Sequence, residues 1–154
     1  MSTIKKYLKT AMFALTISIF LGMSGMIAYA SFSSVESNWI KYGPVNGYYY
    51  QNQSYCAKDT ELPGAWAGTT VLPQWYGSAP AGYMGAQANL YNSAGSKIST
   101  GSWRYNSSTS YGISAVSSYT SQNGVYYSKG QTAAYNGNGY NYYSTYRSPN
   151  INWP

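Results

Sequence analysis

Beyond Ala30 this chain has so few branched aliphatic side chains that any core must be built largely from phenol and indole rings. The 124 residues from Ser31 to Pro154 hold only fourteen Val, Ile, Leu, Met and Phe, against 18 Tyr and 5 Trp. Such scarcity marks disordered chains when it accompanies high net charge. Here six cations and three acids leave only +3 over the same stretch. Each buried aromatic ring withdraws ~150–250 Å² from water, so rings can replace the missing aliphatics. The Tyr hydroxyl must still find a partner or reach solvent, which suits a thin, half-wet sandwich.

Periodicity selects the class. From Tyr83 the chain alternates between two sets: Met84, Ala86, Ala88 and Leu90 on one side, and Tyr83, Gly85, Gln87, Asn89 and Tyr91 on the other. That is a strand with one apolar face. Asn92 to Ser96 offers turn chemistry, and Lys97 to Tyr105 reads as the returning strand of a hairpin. A second hairpin is expected from Val125 to Tyr135 and Tyr140 to Tyr146, joined by Asn136-Gly137-Asn138-Gly139, because Asn-Gly tolerates the positive φ of a tight turn. Tyr48 to Ala57 and Ala65 to Leu72 read as strands bounded by Gly43-Pro44, Pro63-Gly64 and Pro73, and Tyr111 to Tyr119 as a weaker one. No stretch of a dozen residues there shows helical spacing. About seven short strands predict an all-β domain: a single antiparallel β-sandwich, Ig-like, or a small barrel.

The first thirty residues differ in kind. Lys5, Lys6 and Lys9 precede an apolar run from Ala11 to about Gly22, which leads to Ala28-Tyr29-Ala30. These are the three regions of a secretory signal peptide, expected to be cleaved after Ala30. Residues 1–30 are thus read as leader and 31–154 as one secreted domain. Cys56 lies too far from that junction to carry a lipid, and the end from Ser148 to Pro154 lacks a sortase-type tail. The expected address is extracellular, with no stable membrane anchor after cleavage. Cys56, the only cysteine, is expected to be a buried small hydrophobe rather than a thiol pairing between chains.

The side chains available for chemistry are few. There is no His, and the acids are only Glu36, Asp59 and Glu61. A glycosidase would need two of these facing one another, and Pro63-Gly64 places Asp59 and Glu61 beside a loop. No calcium-loop or phosphate-cradle motif is present, so neither metal nor cofactor is expected. The cations Lys41, Lys58, Lys97, Arg104, Lys129 and Arg147 are scattered without a run, which speaks against nucleic acid. A non-enzymatic protein is the expectation.

The aromatics are the candidate binding set. Tyr and Trp beside Asn, Gln and Ser suit either core filling or recognition, since rings can stack on sugar faces and amides can bond hydroxyls. Trp39, Trp66, Trp75, Tyr76, Tyr140, Tyr142 and Tyr146 are the candidates for an exposed aromatic surface, with Trp75-Tyr76 the most exposed pair. Trp103 is expected to anchor the core.

From Ala81 to Pro149, the segments Gly-Tyr-Met-Gly-Ala-Gln-Ala-Asn-Leu-Tyr, Tyr-Tyr-Ser-Lys-Gly and Tyr-Asn-Gly-Asn-Gly-Tyr resemble small exported Tyr/Gly/Ser-rich proteins of Gram-positive bacteria. That likeness implies an address and no activity. Trp39-Ile40-Lys41-Tyr42-Gly43 and the aromatic end from Tyr140 to Trp153 also resemble the lactococcin-type bacteriocins, whose β-sandwiches act on the cell-wall precursor lipid II. This chain is longer than is usual in that group and lacks its typical His. The leading expectation is a secreted protein that contacts a cell-wall glycan or envelope protein. The alternatives are a bacteriocin, and a matrix protein that self-associates through its strand edges.

Overall fold

The hairpin at the centre of the first sheet shows how the alternating sequence becomes structure. Along its first strand Tyr50, Asn52, Ser54 and Cys56 are fully buried, while Tyr49, Gln51, Gln53 and Tyr55 turn outward. The computed structural model describes residues 32–61, 64–75 and 77–154. The expected leader lies outside the described residues.

In chain order the strands are β1 (Ser33–Glu36), β2 (Ile40–Val45), β3 (Tyr48–Asp59), β4 (Gly64–Pro73), β5 (Met84–Gln87), β6 (Asn89–Asn92), β7 (Lys97–Thr100), β8 (Arg104–Tyr105), β9 (Ile113–Val116), β10 (Gly124–Ser128), β11 (Gln131–Tyr135), β12 (Tyr140–Ser144) and β13 (Ile151–Trp153). No helix occurs among the described residues, and the strand pairs are antiparallel. A five-stranded sheet runs β1-β3-β4-β9, with β2 also paired to β3. Two four-stranded sheets run β13-β10-β6-β7 and β12-β11-β5-β8.

The all-β, antiparallel expectation holds, and two of its details are corrected. No sheet closes into a barrel, and the described residues form thirteen strands rather than about seven. Three expected strands are each cut in two. The run from Tyr83 breaks at Ala88, the run from Lys97 breaks after Thr100, and the run from Val125 breaks at Lys129-Gly130. Hydrogen bonds carry the ladder across the breaks: Gly101 N–H donates to the Ala88 carbonyl at 2.8 Å, and Lys129 N–H to that of Asn89 at 3.1 Å. The two four-stranded sheets are therefore successive halves of the same neighbouring segments, bent in the middle. The short strands β1, β2 and β13 were not foreseen. Strand β2 runs through Gly43-Pro44, which the sequence suggests as a boundary. It can do so because β2 pairs on one side only and its register shifts between Tyr42 and Val45.

Both expected hairpins form, β6–β7 and β11–β12. In the second, Asn136 N–H donates to the Gly139 carbonyl at 3.0 Å, and Gly137 takes a φ of 97°. The side chain of Asn136 accepts from Asn138 N–H at 2.9 Å, closing the turn locally.

The division between the two halves coincides with a division in the core. One apolar cluster gathers Val45, Tyr50, Val71, Met84, Ala86 and Ala134 beneath the β5–β11 half, with Tyr42, Tyr83 and Tyr143 packed against it. A second gathers Cys56, Ala65, Ala67, Ala88, Leu90, Tyr126 and Ile151 beneath the β6–β10 half. Full burial of a side chain such as Leu90 contributes ~1.5–3 kcal/mol. Between the clusters lies a polar belt. Asn52 donates to the Thr132 hydroxyl at 2.8 Å, Ser54 to the Tyr146 carbonyl at 2.6 Å, and Ser128 to the Gly68 carbonyl at 3.2 Å. At this belt Gly130 presses against Thr69, and a Cβ added to Gly130 would come within 2.7 Å of the Gln87 carbonyl oxygen. Only glycine permits so close an approach. Cys56 is a buried free thiol in the second cluster, and burial pushes its pKa up to about 12.

Candidate functional site

Since Met84, Ala86, Ala88 and Leu90 all point inward, Gly85, Gln87, Asn89 and Tyr91 all point out. The neighbouring segment keeps the same parity through its own break. Tyr126 and Ala134 belong to the core clusters and Ser128 and Thr132 to the polar belt, so alternation places Tyr127, Lys129, Gln131, Ala133 and Tyr135 on the outer side, where Tyr127 and Ala133 are themselves covered. The paired registers set these residues side by side: Tyr105, Gly85, Ala133 and Tyr142 in one row, Gln87 and Gln131 in the next, and Lys97, Tyr91 and Tyr127 at the far end.

One end of this outer face is aromatic. Trp103 stacks on Tyr105 with ring centroids 5.9 Å apart and meets Tyr142 edge-on at 5.4 Å. Tyr105 packs on Tyr140 at 5.0 Å, and Tyr140 on Tyr135 at 5.8 Å. The rings lie low because Gly85 forms the floor; a Cβ there would sit 2.6 Å from the Tyr105 ring. Tyr140 is oriented by its hydroxyl, which donates to the Gly82 carbonyl at 2.8 Å. Partial burial, and then the neighbouring Tyr142, push the Tyr105 hydroxyl pKa up. The assembly is a shelf of rings.

The other end is aromatic and cationic. Tyr91 and Tyr127 stack with centroids 5.2 Å apart and planes 10° apart. The Arg147 guanidinium lies 3.7 Å from the Tyr127 ring centre, and Lys97 Nζ 5.8 Å from that of Tyr91. Between the two ends, outside the bend at Gly130, the surface sinks into a polar hollow of about 250 Å³ lined by Gln87, Asn89, Lys97, Lys129, Gln131 and Ser144, among others.

No family model, curated protein or solved structure matches this chain. The site must be read from its own geometry.

Of the seven aromatic residues singled out in the sequence, the six described ones do not form one surface. Tyr140 and Tyr142 belong to the shelf. Trp75 is 73% exposed and stands in a cleft of about 600 Å³ with Lys41, Gln51, Leu72 and Tyr111, its ring edge-on to Tyr49 at 4.9 Å. Tyr76 lies outside the described residues. Trp66 is half-buried beside Phe32 and lines an apolar recess with Val116 and Tyr119. Trp39 sits exposed between β1 and β2, and Tyr146 is exposed beyond β12. Trp103 corrects the sequence reading: it is a half-exposed member of the shelf, not a core anchor. It sits two residues before Tyr105 and so shares that residue's outward face.

Tyr105, Gln87, Asn89, Lys129 and Gln131 were missed. Their signal was nonetheless present, because Gln87 and Asn89 are the polar half of the alternating pattern that revealed the strand. The acids have local duties: Asp59 Oδ1 accepts from Glu61 N–H at 2.8 Å in the turn after β3, and Glu36 accepts from Gln53 at 3.5 Å. Among the described residues no three of His, Cys, Asp and Glu cluster as metal ligands would.

Proposed function

We propose that this chain is a secreted, non-catalytic binding protein that contacts cell-envelope glycan through the outer face of its bent sheet. The three sheets are read as a single sandwich, with the five-stranded sheet as one layer and the two bent halves as the other. The observation that carries the functional reading is the shelf formed by Trp103, Tyr105, Tyr140 and Tyr142 over Gly85, adjoining the Gln87–Gln131 pair. Flat rings suit the apolar faces of sugars, and amide groups beside them can exchange hydrogen bonds with hydroxyls. A site lacking any nearby carboxylate is suited to holding a glycan rather than cleaving it.

Co-sedimentation with purified insoluble cell wall tests the proposal. The protein should pellet with the wall, and Trp103→Ala or Tyr142→Ala should weaken retention by at least about tenfold, as expected for aromatic anchors. Tyr111→Ala, on the Trp75 cleft, should retain it. Wild-type protein that stays wholly in the supernatant would overturn the reading.

A further inference from the structure

The hollow beside the shelf has features that the aromatic rings do not explain. Asn89 is only 4% exposed and lines the hollow. Its side-chain nitrogen donates to the Lys129 carbonyl at 3.3 Å, while its buried Oδ1 has no hydrogen-bond partner. A buried carbonyl oxygen without a donor costs ~1–3 kcal/mol, so a ligand hydroxyl delivered to it would be rewarded. Lys97 and Lys129 stand at the same hollow, and Arg147 lies further along the same face against Tyr127.

Charge is also unevenly placed. No Asp or Glu follows Glu61, so the strands that build this face, β5 to β8 and β10 to β13, carry no acidic side chain. The acids Glu36, Asp59 and Glu61 belong to β1, β3 and the turn after β3. The outer face therefore presents cations without an acid among them, a field that attracts extended anions.

Resting on the glycan reading above, we infer that the ligand is an anionic polyhydroxylated polymer, with hydroxyls meeting Asn89 Oδ1 and the Gln87 and Gln131 amides, and its anionic groups meeting Lys97 and Lys129. The hollow, at about 250 Å³, is smaller than the ~300–1,000 Å³ of sites that enclose a whole small ligand, so it receives one unit of a longer chain. The outer segment from Tyr127 to Tyr135 spans at most roughly 26 Å at strand rise, which gives that chain a track from cationic end to aromatic shelf. Two sources share this chemistry: polyols linked by phosphodiesters, and polysaccharides bearing uronic acids.

Titration calorimetry with poly(glycerol phosphate), polygalacturonate and neutral dextran separates the possibilities. At low salt at least one polyanion should bind about tenfold or more tighter than dextran, and the preference should shrink at high salt as charge is screened. Poly(glycerol phosphate) alone would identify the phosphodiester source, and polygalacturonate alone the uronate. Lys97→Gln combined with Lys129→Gln should abolish the preference, whereas Trp103→Ala should weaken all three probes alike. Asn89→Leu should weaken polyanion binding several-fold with little change in melting temperature, since removal of the unpaired buried oxygen offsets loss of the 3.3 Å hydrogen bond to the Lys129 carbonyl. Dextran binding as tightly as both polyanions, or a preference that survives the double Lys variant, would overturn the inference and leave the glycan reading standing. Failure of all three probes together with failure to pellet on cell wall would overturn both.

Discussion

The rings of Tyr42 and Tyr143 lie face to face, their centroids 3.9 Å apart and their planes within 17°, clasping the edge strand β2 to the inner side of β12. The Tyr42 hydroxyl shares a hydrogen bond with the Thr132 hydroxyl at 3.0 Å, and Tyr50 stacks behind at 5.7 Å. A neighbouring chain of rings, Tyr50, Tyr48, Tyr83 and Tyr135, leads from the core to the shelf. Phenol groups here fill the core space that Leu and Ile fill in ordinary all-β proteins.

Truncating this clasp should be costly. Tyr143→Ala is expected to lower unfolding free energy by ~2–4 kcal/mol, toward the range for aromatic-to-Ala changes. Tyr42→Phe should cost only the hydrogen bond, ~1 kcal/mol. A double-mutant cycle with Tyr42→Ala and Tyr143→Ala in urea should give a coupling of ~0.5–1.5 kcal/mol.

Tyr50→Phe should behave differently. Tyr50 is fully buried and its hydroxyl has no partner. Removing that oxygen leaves the ring contacts intact, so stability should stay within ~0.5 kcal/mol of wild type or rise. A loss comparable to that of Tyr42→Phe would show that the Tyr50 hydroxyl is paired.

Two glycines that look equally crowded should respond unequally. A Cβ at Gly130 would meet Thr69 and the Gln87 backbone, which cannot retreat without breaking the β5–β11 pairing. A Cβ at Gly68 would meet the far end of the Tyr55 ring, which can swing outward. Gly130→Ala should therefore cost at least ~2 kcal/mol and Gly68→Ala clearly less, read from urea midpoints.

Trp75 takes a φ of 57°, in the left-handed region that favours glycine. Trp75→Ala and Trp75→Gly lose the same ring contact with Tyr49, but only glycine relieves the backbone. The Gly variant should be the more stable of the two by ~0.5–1 kcal/mol in thermal unfolding.

Alkali should unfold the protein by a definite route. Burial pushes the Cys56 thiol from 9.0 up to about 12 and the Tyr50 hydroxyl from 10.0 up to about 12, and raises that of Tyr42 as well. The unfolded chain thus releases these protons first, and the folded state holds more of them. Their contribution to stability is complete below pH about 9 and is lost progressively as pH rises toward about 12. Cys56→Ala should move the onset in urea midpoints upward, toward the Tyr value of 10.0.

The sequence displayed the longer strand segments and one of the site's ingredients, but not their arrangement, nor the short strands β1, β2 and β13. Alternation from Met84 to Tyr91 separated the inward and outward residues correctly, because pleat parity is a local property; Tyr83, just before the strand, packs against the core instead. The interruption at Ala88 was hidden, because nothing in the local alternation marks it; it lies beside the place where Gly130 approaches Thr69 on another sheet. Trp103 was misplaced for a similar reason: a large indole next to few aliphatics looks like core until its partners Tyr105 and Tyr142 are known. Asn89 and Lys129 read as ordinary strand polarity. Only the antiparallel register brings them to one hollow.

Pleat parity persists through Ala88 and through Lys129-Gly130, and this imposes an arithmetic on any future change in chain length there. One inserted residue after Ala88 would turn Leu90 to water and drive Tyr91 inward, exchanging the two sides of the β6 half at a stroke. Two inserted residues would restore the sides and merely widen the depression. Growth or shrinkage at the bend is therefore confined to even steps, and the depression outside it can change size only in discrete increments.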